Sequence, residues 1–388
     1  MKHSLGISVY PDISPIEDIK KYIELASKYG FKKIFSSMFS VKGSKEEVLN
    51  YFKDLIEFAH QHDMIVDLDV NPDLFERLDA SIDDLSVFSS INIDILRMDL
   101  NFGDDKDYQL VNNKYGIGIE FNSNISVVEG LSKAGADPEK ILVCYNFYPQ
   151  RYTAFSWDIF REMSQKMRSY GDINIGAFVS SNNNPTHGVW DSKDGLPTVE
   201  RLRYLPIDLQ ARILLGTGLI NDIMIGNAYA SEEELKSLAE VYKNHSFDTN
   251  NEYLEKTIQS GAFKVNESEV VQMKLDLDDN LIEEEKKIIY DFKPHISFER
   301  NNEFMWRSRM SRLNGKAVIN PRDCDKKYFD RGDVLIVNDN YRHYSGEVEI
   351  ALGKVENDGQ RNLIGHIKED ELMLIDLIDV GVLVKFIE

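Results

Sequence analysis

Carboxylates, amides and arginines recur two residues apart at the ends of four short apolar runs: Asp67-Leu-Asp69-Val-Asn71, Arg97-Met-Asp99, Glu120-Phe-Asn122 and Asn146-Phe-Tyr148-Pro149. On a β-strand, residues two apart leave the same face, so each run carries its polar pair toward one side. Two carboxylates facing each other across a cleft are the equipment of glycoside hydrolysis, one as proton donor and the other as nucleophile or base. The same pair can bind a metal, but no histidines cluster with these acids, which argues against zinc. Arg97 beside Asp99 reads either as a neutralising partner or as a clamp for an anionic substrate, because a buried carboxylate is costly unless paired or used. A long polar segment, 180–205, contains Gly195-Leu-Pro-Thr198-Val-Glu200-Arg-Leu-Arg203. Segments of that length are usually functional or disordered, and its Trp190 with mixed Glu and Arg points to a substrate lid. Further on, Trp306-Arg307-Ser-Arg309-Met-Ser-Arg312 concentrates arginine in an otherwise acidic chain. On a strand, Arg307 and Arg309 would form a one-sided fork suited to a phosphate or carboxylate.

The elements that must position these groups follow from the hydrophobic pattern. Eight apolar runs, at 5–9, 33–36, 64–69, 95–99, 117–121, 141–145, 173–179 and 222–225, alternate with amphipathic stretches. Helices are predicted at 15–29, 44–61, 125–134, 155–169 and 206–216, and Ser231-Glu-Glu-Glu opens another; several start at Ser or Pro and stop at Gly, as capping requires. Alternation of this kind is the mark of parallel strands joined by crossover helices, and eight strands favour a closed (β/α)₈ TIM-like barrel over an open doubly wound sheet. Active sites of such barrels lie at the C-terminal ends of the strands, where the polar pairs occur. After His245 the pattern changes. The expected organisation is a barrel over 1–245, a polar linker over 246–262, and a smaller β-rich domain over 263–388. In that domain, strands at 334–337, 347–352 and 382–387 are separated by Asn338-Asp-Asn340 and Glu356-Asn-Asp-Gly359 turns, which suggests a small β-barrel or sandwich.

Composition narrows the partners. The 388 residues carry a formal net charge of −21 and an isoelectric point near 4.9, which opposes a phosphate backbone, so nucleic acid is not an expected partner. An anionic substrate would need a local basic pocket. Cys144 and Cys324 fall in different expected domains, which argues against a structural disulfide. No G-x-G-x-x-G follows the first strand and no G-x-x-x-x-G-K-[ST] occurs, so no nucleotide cofactor is expected. A pyridoxal-phosphate enzyme of similar layout would need a lysine closing the first strand, where Ser8 and Tyr10 stand. The chain shows neither a signal-type apolar segment nor a run of about 20 apolar residues, so a cytoplasmic protein without a membrane partner is expected. A second copy of the chain stays open as a partner.

Taken together, Arg97-Met-Asp99, Glu120-Phe-Asn122, Asn146-Phe-Tyr-Pro149 with Tyr152-Thr153, Gly195-Leu-Pro-Thr198 with Glu200 and Arg203, Ile225-Gly226, Arg307-Ser308 and 341–347 resemble the bacterial 6-phospho-N-acetylmuramidase family over nearly the whole chain. The resemblance implies a TIM barrel followed by a cyclophilin-like β-barrel domain. It also implies hydrolysis of the β-1,4 bond between a 6-phosphorylated N-acetylmuramic acid and N-acetylglucosamine in cell-wall recycling. The implied catalytic pool is Asp69, Asp99, Glu120 and Glu200, with Asp99 and Glu120, on adjacent strands, as the expected pair. Asn122, Asn146 and Tyr148 would bond sugar hydroxyls or an acetamido group, joined in binding by Tyr152, Thr198 and Asn227. Arg97, Arg203, Arg307 or Arg309 would take the phosphate and the lactyl carboxylate. If the acetamido carbonyl is itself the nucleophile, one protein acid and an orienting carboxylate suffice. The chain departs from the family pattern at Tyr145 and Leu202, where the family has His, and at Asn227, where it has Asp. The alternative is therefore a divergent, non-catalytic sugar-phosphate-binding paralogue.

Overall fold

The computed structural model describes residues 3–388 apart from 39–40, 42, 104, 185, 190–192, 246–251, 262–264, 267–268, 300–301 and 314–317. Trp190 of the expected lid, and residues 246–251 and 262 of the expected linker, lie outside the described residues. The chain divides into two compact units, Met1–Leu214 with Leu219–Tyr242, and Leu215–Gly218 with Lys243–Glu388.

In the first unit, strands β1 (Ser4–Ser8), β2 (Lys33–Ser37), β3 (Ile65–Val70), β4 (Ile95–Met98), β5 (Gly118–Asn122), β6 (Leu142–Cys144), β7 (Asn174–Val179) and β8 (Asp222–Ile225) form a closed barrel. All neighbours are parallel, and β8 closes on β1 with Gly6 opposite Met224. The outward residues, such as Val66, Leu68, Val70, Ile119 and Phe121, are fully buried against the surrounding helices. The helix Lys45–Gln61 shows how locally this is encoded: Ser44 and Glu47 form a capping box, and Val48, Phe52, Leu55, Ile56 and Ala59 make one buried face. Short helices at Pro72–Arg77, Ser86–Ser89 and Asp105–Val111 escape the periodicity analysis, being too brief to show a 3.6-residue repeat.

The second unit is a seven-stranded sheet made of β9 (Val270–Leu277), β10 (His295–Ile296), β11 (Met305–Ser308), β13 (Asp333–Val337), β14 (Val348–Ala351), β16 (Arg361–Ile367) and β17 (Leu383–Ile387), beside a two-stranded ribbon of β12 (Tyr328–Phe329) and β15 (Val355–Glu356). The order is β10-β17-β9-β16-β13-β14-β11. Its end strands approach each other, with His295 Nδ1 3.1 Å from Ser308 Oγ, so the sheet is nearly closed into a small barrel. The segment expected as a polar linker instead contains the helix Glu252–Gln259. Its Leu254 is fully buried against Val270, Ile296 and Leu383, with Ile258 one turn on packing beside it, so four-residue spacing draws this helix into the second core.

Candidate active site

Within the barrel, alternation sends Lys33, Asp67, Asp69, Arg97, Glu120, Asn146 and Asp222 inward, and the distances between them confirm it. Lys33 Nζ lies 2.5 Å from Glu120 Oε2 and 3.1 Å from Asp67 Oδ2. Side chains from β2, β3 and β5 can meet so closely only in the interior. Burial raises the Asp67 carboxyl well above the usual carboxylate range, with the adjacent Glu120 charge adding to it. Burial acts on Glu120 in the same sense, but the Lys33 and Arg97 cations outweigh it and hold Glu120 below its ordinary value. Asp67 is therefore the member of this pair that holds on to a proton more strongly.

One layer higher, at the C-terminal ends of the strands, Arg97 reaches three partners. Its Nη1 is 3.2 Å from Asp69 Oδ1, its Nη2 donates to Asn146 Oδ1 at 2.5 Å, and its guanidinium lies over the Phe35 ring at 5.4 Å. Asp69, whose side chain is 13% exposed, is pushed up to about 7, chiefly by burial, with Arg97 opposing and the charges of Asp99 and Glu120 reinforcing the rise. A carboxylic acid that titrates near neutrality in a cleft is poised to give or take a proton. Asp99 is exposed beside it. Asn122 donates from Nδ2 to Asp99 Oδ1 at 3.3 Å and to the Asp99 carbonyl at 2.8 Å, while its buried Oδ1 accepts no hydrogen bond. Tyr148 packs edge-on against Phe155 at 5.6 Å, and burial raises its hydroxyl. The structure thus gathers Asp69, Arg97, Asp99, Asn122, Asn146 and Tyr148 at the mouth.

Other expected site residues are placed differently. Glu120 is 1% exposed and clamped by Lys33, so the expected Asp99–Glu120 pair is corrected: Glu120 is sealed below the mouth. Glu200 and Arg203 grip each other through Nε–Oε1 at 2.8 Å and Nη2–Oε2 at 2.6 Å. Arg203 is 1% exposed, and its remaining N–H groups donate to the Tyr148, Gln150, Asp194 and Gly195 carbonyls. The Arg203 hydrogen bond takes Glu200 down to about 2. This pair fastens the loop after β6 to the loop after β7, with the Glu200 carboxylate and the Arg203 donors engaged in that tie. Thr198 is buried, accepting from Phe178 N and donating to the Asn146 carbonyl. Asn227 bonds both backbone groups of Ser181 and lines a cavity of about 550 Å³ with Thr186, Gly195 and Tyr204. Tyr152 stands 87% exposed on the loop after β6, at a positive φ of 68°.

In the second unit the expected arginine fork does not form. Strand β11 ends at Ser308 and Arg309 begins a 3₁₀ turn, so the two side chains no longer alternate on one face. Arg307 Nε pairs with the buried Glu347 at 2.6 Å, and Arg309 pairs with Glu299. Of the positions that depart from the family pattern, two are packed into the protein behind the strands, and the third, Asn227, stands just past the end of β8. Tyr145 faces outward from its strand and bonds Ser164 behind the barrel at 2.7 Å, Leu202 is core, and the amide of Asn227 is occupied by the Ser181 backbone and the Thr186 hydroxyl. The residues that sequence reasoning missed are Lys33 and Asp222, whose only signal was a charged residue opening an otherwise apolar run, and Asp67, quoted but not chosen. Among the described residues, no group of three or more His, Cys, Asp or Glu is arranged to hold a metal ion.

Two family models match the chain: 6-phospho-N-acetylmuramidase, N-terminal, over residues 5–240, and 6-phospho-N-acetylmuramidase, C-terminal, over residues 271–387. Among solved structures, an uncharacterized B. cereus protein is 32% identical, with full coverage of both chains and a TM-score of 0.81. A conserved Enterococcus faecalis protein of unknown function is 20% identical over 99% of this chain and 96% of its own, with a TM-score of 0.64, a likeness of fold. No curated protein matches.

Proposed function

The chain belongs to the 6-phospho-N-acetylmuramidase family, and from that premise we propose that it hydrolyses the glycosidic bond of a 6-phosphorylated N-acetylmuramic acid–N-acetylglucosamine disaccharide, with Asp69 as the proton donor. The observation that carries this reading is the Asp69 carboxyl itself, largely buried at a strand end, held by a single contact with Arg97 and lying beside Asp99, an environment in which burial pushes it up to about 7. Protonated Asp69 gives its proton to the glycosidic oxygen as the C1–O bond breaks, so the leaving sugar departs neutral. Asp99, just past the end of the neighbouring strand β4, serves the attacking group, whether a water that it deprotonates or the acetamido carbonyl of the sugar that it orients. Asn122 Oδ1, Asn146 and Tyr148 ring the same mouth and supply hydrogen bonds to hydroxyl and acetamido groups. The exposed Tyr152 offers a ring face to a sugar.

Incubation with the phosphorylated disaccharide, followed by chromatography of the products, tests the proposal. Release of N-acetylglucosamine is expected, with Asp69→Asn slower by about 10²–10⁴-fold, the usual contribution of a general acid. Saturable binding with no cleavage at any pH would replace the hydrolase by a sugar-phosphate-binding protein.

A further inference from the structure

Beneath the mouth lies a layer of buried charge to which the proposed reaction gives no role. Lys33 Nζ touches Glu120 Oε2 at 2.5 Å and Asp67 Oδ2 at 3.1 Å, with Asp222 Oδ2 at 3.9 Å, and none of these side chains is more than 9% exposed. The other Glu120 oxygen, Oε1, lies 3.4 Å from Arg97 Nε, and Arg97 Nη1 lies 3.2 Å from Asp69 Oδ1. Lys33, Glu120, Arg97 and Asp69 therefore form an unbroken line of opposite charges rising from the barrel interior to the mouth. One guanidinium is divided among a hydrogen bond to Asp69, a hydrogen bond from Nη2 to Asn146 Oδ1, and a 3.4 Å charge contact with Glu120 that is not a hydrogen bond. The same barrel shows the undivided case: Arg203 gives Glu200 two short bonds, at 2.8 and 2.6 Å. A bidentate arginine stabilises the ionised acid far more than one long contact does.

We propose that Lys33 and Glu120 are positioning residues: Lys33 fixes Glu120, and Glu120 draws the Arg97 guanidinium partly off Asp69, leaving the Asp69 carboxyl singly held at the mouth. The inference rests on Asp69 being the proton donor proposed above. The charged and titratable groups acting on Asp69 are Arg97 from β4, Asp99 just past its end, Glu120 from β5, and Tyr10 beyond the end of β1, with Asp67 two residues back on its own strand. Burial is the largest influence on Asp69, and of these groups only Arg97 favours the ionised form, so at fixed burial the share of Arg97 that reaches Asp69 shifts when it loses its proton.

Glu120→Gln removes the competing charge without changing shape. Lys33 keeps a partner because Asp67, relieved of its charged neighbour, ionises in place of Glu120. Arg97, still donating from Nη2 to Asn146, then leans toward Asp69. The high-pH limb of the turnover profile is expected to move down by about one pH unit, with the low-pH plateau kept within a few-fold. Carbon-13 titration of aspartate carboxyls, with Asp69 assigned through Asp69→Asn, reads the same shift in the substrate-free protein, so the inference stands or falls even if no disaccharide is cleaved. An unmoved or raised Asp69 midpoint in Glu120→Gln overturns it, and so does an equal loss of rate at every pH, which would put Glu120 in the chemistry. If the variant does not fold, wild-type protein labelled at its glutamate carboxyls decides: a buried glutamate ionised from pH 5 to 9, as Glu120 beside Lys33 must be, is required, and only protonated buried glutamates at pH 7 sink the proposal.

Discussion

Asp69 and Glu200 are both acids beside an arginine, yet one titrates at about 7 and the other at about 2. The difference lies in how many bonds the guanidinium gives each, and in how much solvent the carboxyl has lost. Holding Asp69 in this state costs stability. Because its folded-state value is raised, the folded protein binds more protons than the unfolded chain between about pH 4 and 7, so stability falls as pH rises through that window. A rise of roughly three units corresponds to about 4 kcal/mol above pH 7, and to nothing below pH 4. Asp69→Asn is therefore expected to melt at a higher temperature than the wild type at pH 8, with the gap closing by pH 4. Calorimetry across that range checks it, and a variant that is less stable at pH 8 would show that burial is not what raises Asp69.

The elements decide where these side chains end up. Each strand presents every second residue to the interior, and the loops beyond the strands must be held close for the mouth to keep its shape. Gly226, just past β8, is where that closeness is most demanding: a Cβ there would lie 2.6 Å from the Leu196 carbonyl oxygen. Gly226→Ala forces the backbone of the loop after β7 to move, and a cost of about 1–3 kcal/mol is expected from overpacking. Chemical denaturation measures it; an unchanged midpoint would mean that this loop gives way freely. The Glu200–Arg203 clip ties the same loop to the one after β6, so the two constraints act on one segment.

At the scale of the whole molecule, the net charge of −21 repels a phosphorylated sugar before any contact is made. Raising ionic strength from about 10 to 150 mM shortens the reach of that field, so kcat/KM for the phosphorylated disaccharide is expected to rise by roughly two- to tenfold; a fall would reveal a local basic field strong enough to attract. No helix among the described residues is long and apolar enough to cross a membrane. The barrel itself was legible in the sequence, because strand and helix periodicities are properties of short segments and the alternation repeats eight times. So was the set of strands whose ends bear polar pairs. Depth was not legible. Asp69, Arg97 and Glu120 are register partners across β3, β4 and β5, but the strands of a closed barrel tilt, so a residue at the end of β3 is level with one in the middle of β5. That stagger, fixed only by closure, seals Glu120 against Lys33 and leaves Asp69 at the rim. It also decides which acids the buried cations meet, since side chains as distant in sequence as Lys33 and Glu120 learn their partners only when the barrel closes.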